Sequence, residues 1–195
     1  VRINYQSIGS GAGIQQLLAG TVDFGASDAP MSDDELSRAP RPVLHIPTTP
    51  GAVAVAYNLP DLPQPLQLSG DVVADLFLGR ITRWNDPRIA ATNPGVTLPD
   101  EPVLVIHRSD GSGTTYVFTE YLGAVSPTWA SGPGTGKEVS WPTGIGAKGN
   151  EGVAAQIKSS PGTVGYVEVV FANQLDLSTA ALQNRSGTFV APSAG

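Results

Sequence analysis

Cysteine is absent from the chain, so neither a disulfide framework nor a thiolate metal site is open to it. Basic residues are scarce. Eleven lysines and arginines stand against 17 aspartates and glutamates, for a net charge of −6. A nucleic-acid binder carries a basic face, and this composition argues against one. Any anion taken up here must be held by local geometry, because the overall field repels it. No apolar run reaches the roughly 20 residues of a membrane-spanning helix. Histidine is limited to His45 and His107, each in a strand-like run that suits a core or edge position better than a catalytic base. The sequence opens on Val1-Arg2-Ile3-Asn4-Tyr5 with no signal-peptide pattern ahead of it.

Glycine and proline are plentiful, at 23 and 17 residues. They are spread along the chain, which predicts many tight turns rather than a disordered tract. The 195 residues suffice for one sizeable core or for two small lobes sharing a hinge. Strands are expected at Val1–Ile8, Val22–Gly25, Val43–Ile46, Ala52–Tyr57, Val103–His107 and Val164–Val170. Helices are expected around Ile14–Leu18, at Asp71–Leu78, around Val117–Leu122 and at Val153–Ser159. Ser32, with Glu35 three residues on, has the form of a capping box. The segment Gly132 to Gly152 is glycine-rich and reads as loop, with Trp141 as a packing anchor. The remaining tryptophans, Trp84 and Trp129, read as anchors too. Alternation of strands with helices predicts an α/β fold with largely parallel pairing. Pro47-Thr48-Thr49-Pro50-Gly51 is the candidate hinge.

Two segments share one design, a strand followed by a small-residue turn and then a helix. They are Gly9-Ser10-Gly11-Ala12-Gly13 and Asp110-Gly111-Ser112-Gly113-Thr114. A helix N-terminus offers free N–H groups and partial positive charge. Glycine allows close approach, and serine or threonine hydroxyls add donors. Such turns hold an oxyanion without excess cationic charge. Ser10, Ser112 or Asp110 could instead merely cap their helices. Arg108 precedes the second turn and brings a forked, permanently charged donor, with Asp110 placed to fix its plane.

Asp28, in Ala26-Ser27-Asp28-Ala29-Pro30, is a carboxylate that would repel an anion unless one partner carries a proton. Phosphate has a proton to give and sulfate at neutral pH has none, so an acceptor-only group here favours phosphate. Asp28 could also simply cap the turn before Pro30. Neither glycine turn is a Walker A loop. Ser112 does not fit the Gly-x-Ser-x-Gly nucleophile pattern, because position 110 is aspartate. No metal-ligand cluster is legible, so neither catalysis nor a metal is expected.

Several stretches carry a family resemblance. Tyr5-Gln6-Ser7-Ile8-Gly9-Ser10-Gly11, Val22 through Pro30, Leu78 through Pro87, Arg108 through Thr114, Trp141 through Asn150 and Gly162 through Glu168 together resemble the phosphate-binding proteins of the bacterial high-affinity phosphate ABC transporter (PstS family). The resemblance implies a type II periplasmic-binding-protein fold with two lobes and a hinge. Residues 1–51 would form part of the first lobe and residues 52–195 the second. Ser10 and Asp28 would line a phosphate site from the first lobe. Arg108, Ser112, Gly113 and Thr114 would line it from the second, with Asp110 holding Arg108. The implied partners are inorganic phosphate and a membrane permease, with no cofactor and no nucleic acid. The protein would be a monomer in the periplasm or outside the cell, with lipid anchoring to the surface as an option. Family members carry, ahead of the stretch at Val1, a further strand and a loop whose Thr and Phe contact phosphate, and a C-terminal return to the first lobe. Neither segment is in this sequence, so the first lobe is expected to be incomplete.

Overall fold

The computed structural model describes residues 2–193. The first quarter holds two short helices, α1 (Ser10–Leu18) and α2 (Asp33–Ser37). Then follow β1 (Val53–Tyr57), β2 (Gln67–Leu68), α3 (Gly70–Phe77), α4 (Pro87–Thr92), β3 (Leu104–Arg108), α5 (Gly113–Val125) and α6 (Pro127–Ser131). The last part is β4 (Ile145–Ala147), α7 (Gly149–Ser159), β5 (Thr163–Glu168), α8 (Val169–Gln174), β6 (Ser178–Thr179), β7 (Ala181–Gln183) and β8 (Phe189–Val190).

The main sheet runs in the order β4-β3-β5-β1-β6. Its central strands, Val-Ala-Val-Ala-Tyr in β1 and Thr-Val-Gly-Tyr-Val-Glu in β5, are buried along most of their length. Strands covered on both faces carry near-continuous apolar runs, and helices supply that cover. On one face α3 brings Val73, Leu76 and Phe77 against Trp84, Phe118, Trp129 and Tyr166. On the other, Val153, Ala154 and Ile157 of α7 pack on Ala56, Ile106 and Val167. The tryptophans act as the expected anchors. Trp84 and Trp129 are fully buried, and Trp141 stacks on His107 with ring centroids 4.9 Å apart.

The pairing is mixed rather than largely parallel. β3 lies parallel to both β4 and β5, whereas β1 runs antiparallel to β5 and β6. Alternation of element types does not fix direction when a long excursion, here β2 through α4, separates two strands. A second small sheet joins β2, β7 and β8.

Three expected strands are not formed. Residues 2–8, 22–25 and 43–46 carry no strand, and Ile3, Tyr5, Phe24, Leu44 and Ile46 are exposed. Val1 lies outside the described residues. The apolar content is real, but an extended segment becomes a strand only when a neighbour takes its N–H and C=O groups. Among the described residues these segments have no such neighbour. The segment expected to be loop holds β4 and the first turn of α7. The Ser32 capping box is present, with Ser32 Oγ accepting from Glu35 N–H at 3.2 Å and Glu35 Oε2 accepting from Ser32 N–H at 2.8 Å.

Candidate functional site

β3 and β5 are parallel, so their carboxyl ends, Arg108 and Glu168, come to the same edge of the sheet. Ligand crevices in open α/β sheets lie outside strand carboxyl ends. From Arg108 the chain turns through Ser109–Ser112 into α5. Ser112 is the N-cap, its Oγ accepting from Thr115 N–H at 3.1 Å. Ser112 N–H is taken by the Lys137 carbonyl at 3.0 Å. The N–H groups of Gly113 and Thr114 meet no protein acceptor among the described residues.

The start of α1 comes up against this turn. Gly9 sits before it at φ +82°, the left-handed region that favours glycine. Gly11 N–H donates to the Gly111 carbonyl at 2.8 Å, so the two glycine turns are hydrogen-bonded to each other. Asp28 N–H reaches Ser10 Oγ at 3.4 Å, and Thr114 Oγ1 donates to Asp28 Oδ2 at 3.3 Å. Gly113 fills the gap between them. A Cβ there would stand 2.5 Å from Ser10 Oγ and 2.7 Å from Asp28 Cβ, so a glycine is required by space alone.

The Arg108 side chain is 4% exposed. Its Nε and Nη2 donate to Asp110 Oδ1 and Oδ2 at 2.8 and 2.6 Å, the two-pronged geometry that fixes a guanidinium plane. Asp110 Oδ1 also accepts from Gly149 N–H at the start of α7, at 3.0 Å. Burial pushes the Asp110 carboxyl up, but Arg108 and Gly149 together outweigh it and hold it below the usual carboxylate range. Arg108 N–H donates to the Tyr166 hydroxyl at 3.1 Å, and that hydroxyl shares a 2.6 Å hydrogen bond with Thr115 Oγ1. Burial pushes the Tyr166 phenol up to about 12, so it stays neutral.

Ser10, Asp28, Arg108, Asp110, Ser112 and Thr114 all line one cavity of about 930 Å³. Gly113 stands behind its wall, packed on Ser10 and Asp28. Residues from three separate stretches of the chain thus come together around one cavity. The sequence reading missed Glu168 and Asn150, which border the same cavity. Glu168 Oε1 accepts from Asn150 Nδ2 at 3.1 Å and from Thr114 Oγ1 at 3.4 Å, while Asn150 Oδ1 accepts from Glu168 N–H at 3.2 Å. Burial first, and the Asp28 charge second, push the Glu168 carboxyl above its ordinary range; Thr114, Asn150 and Arg108 oppose this and lose. A charged residue ending an otherwise apolar buried strand was the signal that could have found it. Among the described residues no group of three His, Asp or Glu side chains is placed to hold a metal ion.

A buried, pre-oriented guanidinium, two convergent helix starts, three hydroxyls and an acidic wall can bind a protonated oxyanion. Comparison with known proteins bears on which one. The family model of a PBP superfamily domain matches residues 1–195. The phosphate-binding protein PstS of Pasteurella multocida is 52% identical over 194 residues, 99% of this chain and 56% of that protein. PstS of Haemophilus influenzae is 49% identical, covering 98% of this chain and 57% of its own length. PstS of Methanocaldococcus jannaschii is 45% identical, with 98% and 52% covered. The chain therefore spans about half the length of the curated relatives it matches.

Among solved structures, a putative phosphate ABC transporter substrate-binding protein with bound phosphate from Clostridium perfringens superposes with a TM-score of 0.68. It is 19% identical, over 95% of this chain and 70% of that one. A high-affinity periplasmic phosphate-binding protein (PfluDING) bound with phosphate gives a TM-score of 0.70 at 24% identity, over 96% and 57%. At these identities the likeness establishes the fold. It is the α/β, type II periplasmic-binding fold, present here over part of its extent.

Proposed function

The chain belongs to the PBP superfamily, and on that premise we propose that it captures inorganic phosphate outside the cytoplasm and delivers it to a phosphate ABC transporter. One observation carries the reading. Arg108, locked by Asp110, faces the same cavity as Asp28 and the starts of α1 and α5. The arginine and the helix ends favour an oxyanion, and the carboxylate demands that it carry a proton. Names of the relatives, all phosphate-binding proteins, point the same way.

In this reading phosphate enters with its oxygens toward Arg108, the Gly113 and Thr114 N–H groups, and the hydroxyls of Ser10, Ser112 and Thr114. Its proton goes to Asp28 as a hydrogen bond, and sulfate is rejected because it leaves two acceptors facing each other. No covalent step follows, so the role is that of a receptor and not of an enzyme. The proposed partner is a membrane permease, met by a monomeric receptor in the periplasm or at the cell surface, with or without a lipid anchor. No helix among the described residues is long and apolar enough to cross a membrane.

Isothermal titration calorimetry with phosphate and then sulfate, on the parent chain and on Asp28→Asn, tests the proposal. One-to-one phosphate binding without sulfate binding is expected of the parent, and measurable sulfate binding of the variant, whose amide can donate. A folded chain that ignores phosphate, or a variant that discriminates as well as its parent, would overturn it.

A further inference from the structure

Thr114 Oγ1 stands between two carboxylates, 3.3 Å from Asp28 Oδ2 and 3.4 Å from Glu168 Oε1. A threonine hydroxyl has one proton. It serves one carboxylate at a time, and the other then faces like charge without it. Glu168 is the better anchored of the two, because Asn150 grips it at both its carboxylate and its backbone N–H. Asp28, Thr114 and Glu168 together form a partition. They border the anion cavity on one side and a second cavity, lined by Leu17, Phe24 and Met31, on the other.

We propose that Glu168 is a positioning residue of the anion site, competing with Asp28 for the single Thr114 proton so that its own charge state sets how strongly the site takes phosphate. The inference rests on the phosphate reading above. Ionised Glu168 draws the Thr114 hydroxyl toward itself and adds a second negative charge near the ligand. Protonated Glu168 does neither, and the Thr114 proton is then free for Asp28 or for a ligand oxygen. The proton exchanged is between Glu168 and solvent, and no other bond changes. The charged groups facing this wall from neighbouring elements are Asp28, Arg108 and Asp110. Arg2, Asp23, Lys148 and Glu151 lie around the anion cavity, and Arg41 and His45 around the second. Of these Asp28 and Arg108 act directly on Glu168, with opposite signs.

Two measurements test this. First, carbon-13 NMR of the Glu168 carboxyl in the ligand-free chain should give a midpoint above the ordinary glutamate range, moving down in Asp28→Asn. A midpoint within the ordinary range, or one indifferent to residue 28, overturns the competition whether or not phosphate binds. Second, phosphate affinity is followed by calorimetry from pH 5 to 8. Glu168→Gln keeps an acceptor for Thr114 and Asn150 but carries no charge. It should bind several-fold more tightly than the parent above the Glu168 midpoint, and the part of the pH slope centred there should vanish. Glu168→Ala removes both the competing acceptor and the charge, so it too should bind several-fold more tightly than the parent above the Glu168 midpoint. A Glu168→Gln profile parallel to the parent's sinks the proposal, as does parent-like affinity of Glu168→Ala above that midpoint. A parent chain that binds no phosphate at all counts against the receptor reading instead, and the NMR titration still decides the present one.

Discussion

Replacing Asp110 with asparagine should separate what the Arg108–Asp110 pair does for the fold from what it does for a ligand. The two side chains are 4% and 17% exposed and meet through two hydrogen bonds, with a third from Gly149 fixing the carboxylate to α7. Removing one member of a buried pair typically costs about 3–5 kcal/mol, most of it from the stranded charge. This pair borders an open cavity, so solvent relieves part of that cost and about 2–3 kcal/mol is the reasonable expectation. For a chain of this size that corresponds to a melting point lower by about 4–12 °C.

Phosphate should then rescue the variant, because the anion supplies the missing countercharge. Losing the fixed guanidinium plane works against rescue, but ordering one long side chain is worth only about 0.5–1.5 kcal/mol. The stranded charge outweighs it. Thermal unfolding with and without millimolar phosphate provides the assay, and the ligand-induced rise should be larger in Asp110→Asn than in the parent. A variant that melts with its parent, or one that phosphate stabilises less, would refute this account of Arg108.

Gly113→Ala should lower stability by about 1–3 kcal/mol through overpacking against Ser10 and Asp28, and should weaken phosphate binding by parting the two helix starts. Unchanged melting and affinity would show that the contact is not close. Stability should also fall at both ends of the pH scale. The depressed Asp110 and Glu35 carboxyls stabilise the fold above the ordinary carboxylate range, and that contribution is lost as pH falls through their folded values. The raised Glu168 has the opposite sign, its contribution being present below its ordinary value and lost as pH rises through the folded one. Melting followed from pH 3 to 8 should therefore show a steep acid limb and a shallow decline at higher pH, the latter absent in Glu168→Gln.

The elements read correctly from the sequence are those whose burial is dense and local. β1, β3 and β5 are short apolar runs, α3 and α5 carry apolar stripes at helical spacing, and the Ser32–Glu35 box is a motif of four residues. The misreadings have a common cause in what lies far away along the chain. Residues 2–8 and 43–46 have the apolar content of strands, yet no partner strand stands beside them among the described residues. The direction of β1 depends on where a long connection returns it. Both glycine turns and Arg108 could be singled out because each is contiguous. Asn150 could not, since what marks it is a contact with Thr114, 36 positions earlier, and Glu168 left only the fainter mark of a charge closing an apolar strand.

Capping does not compete with the ligand contact proposed for Ser112. Its oxygen is already engaged by the Thr115 amide, so the hydroxyl hydrogen is barred from the helix side and must be aimed elsewhere. A cap in this position is an aiming device. In the phosphate reading, the donor would meet an arriving oxygen with its range of directions already narrowed, and less rotation would have to be frozen at the moment of contact.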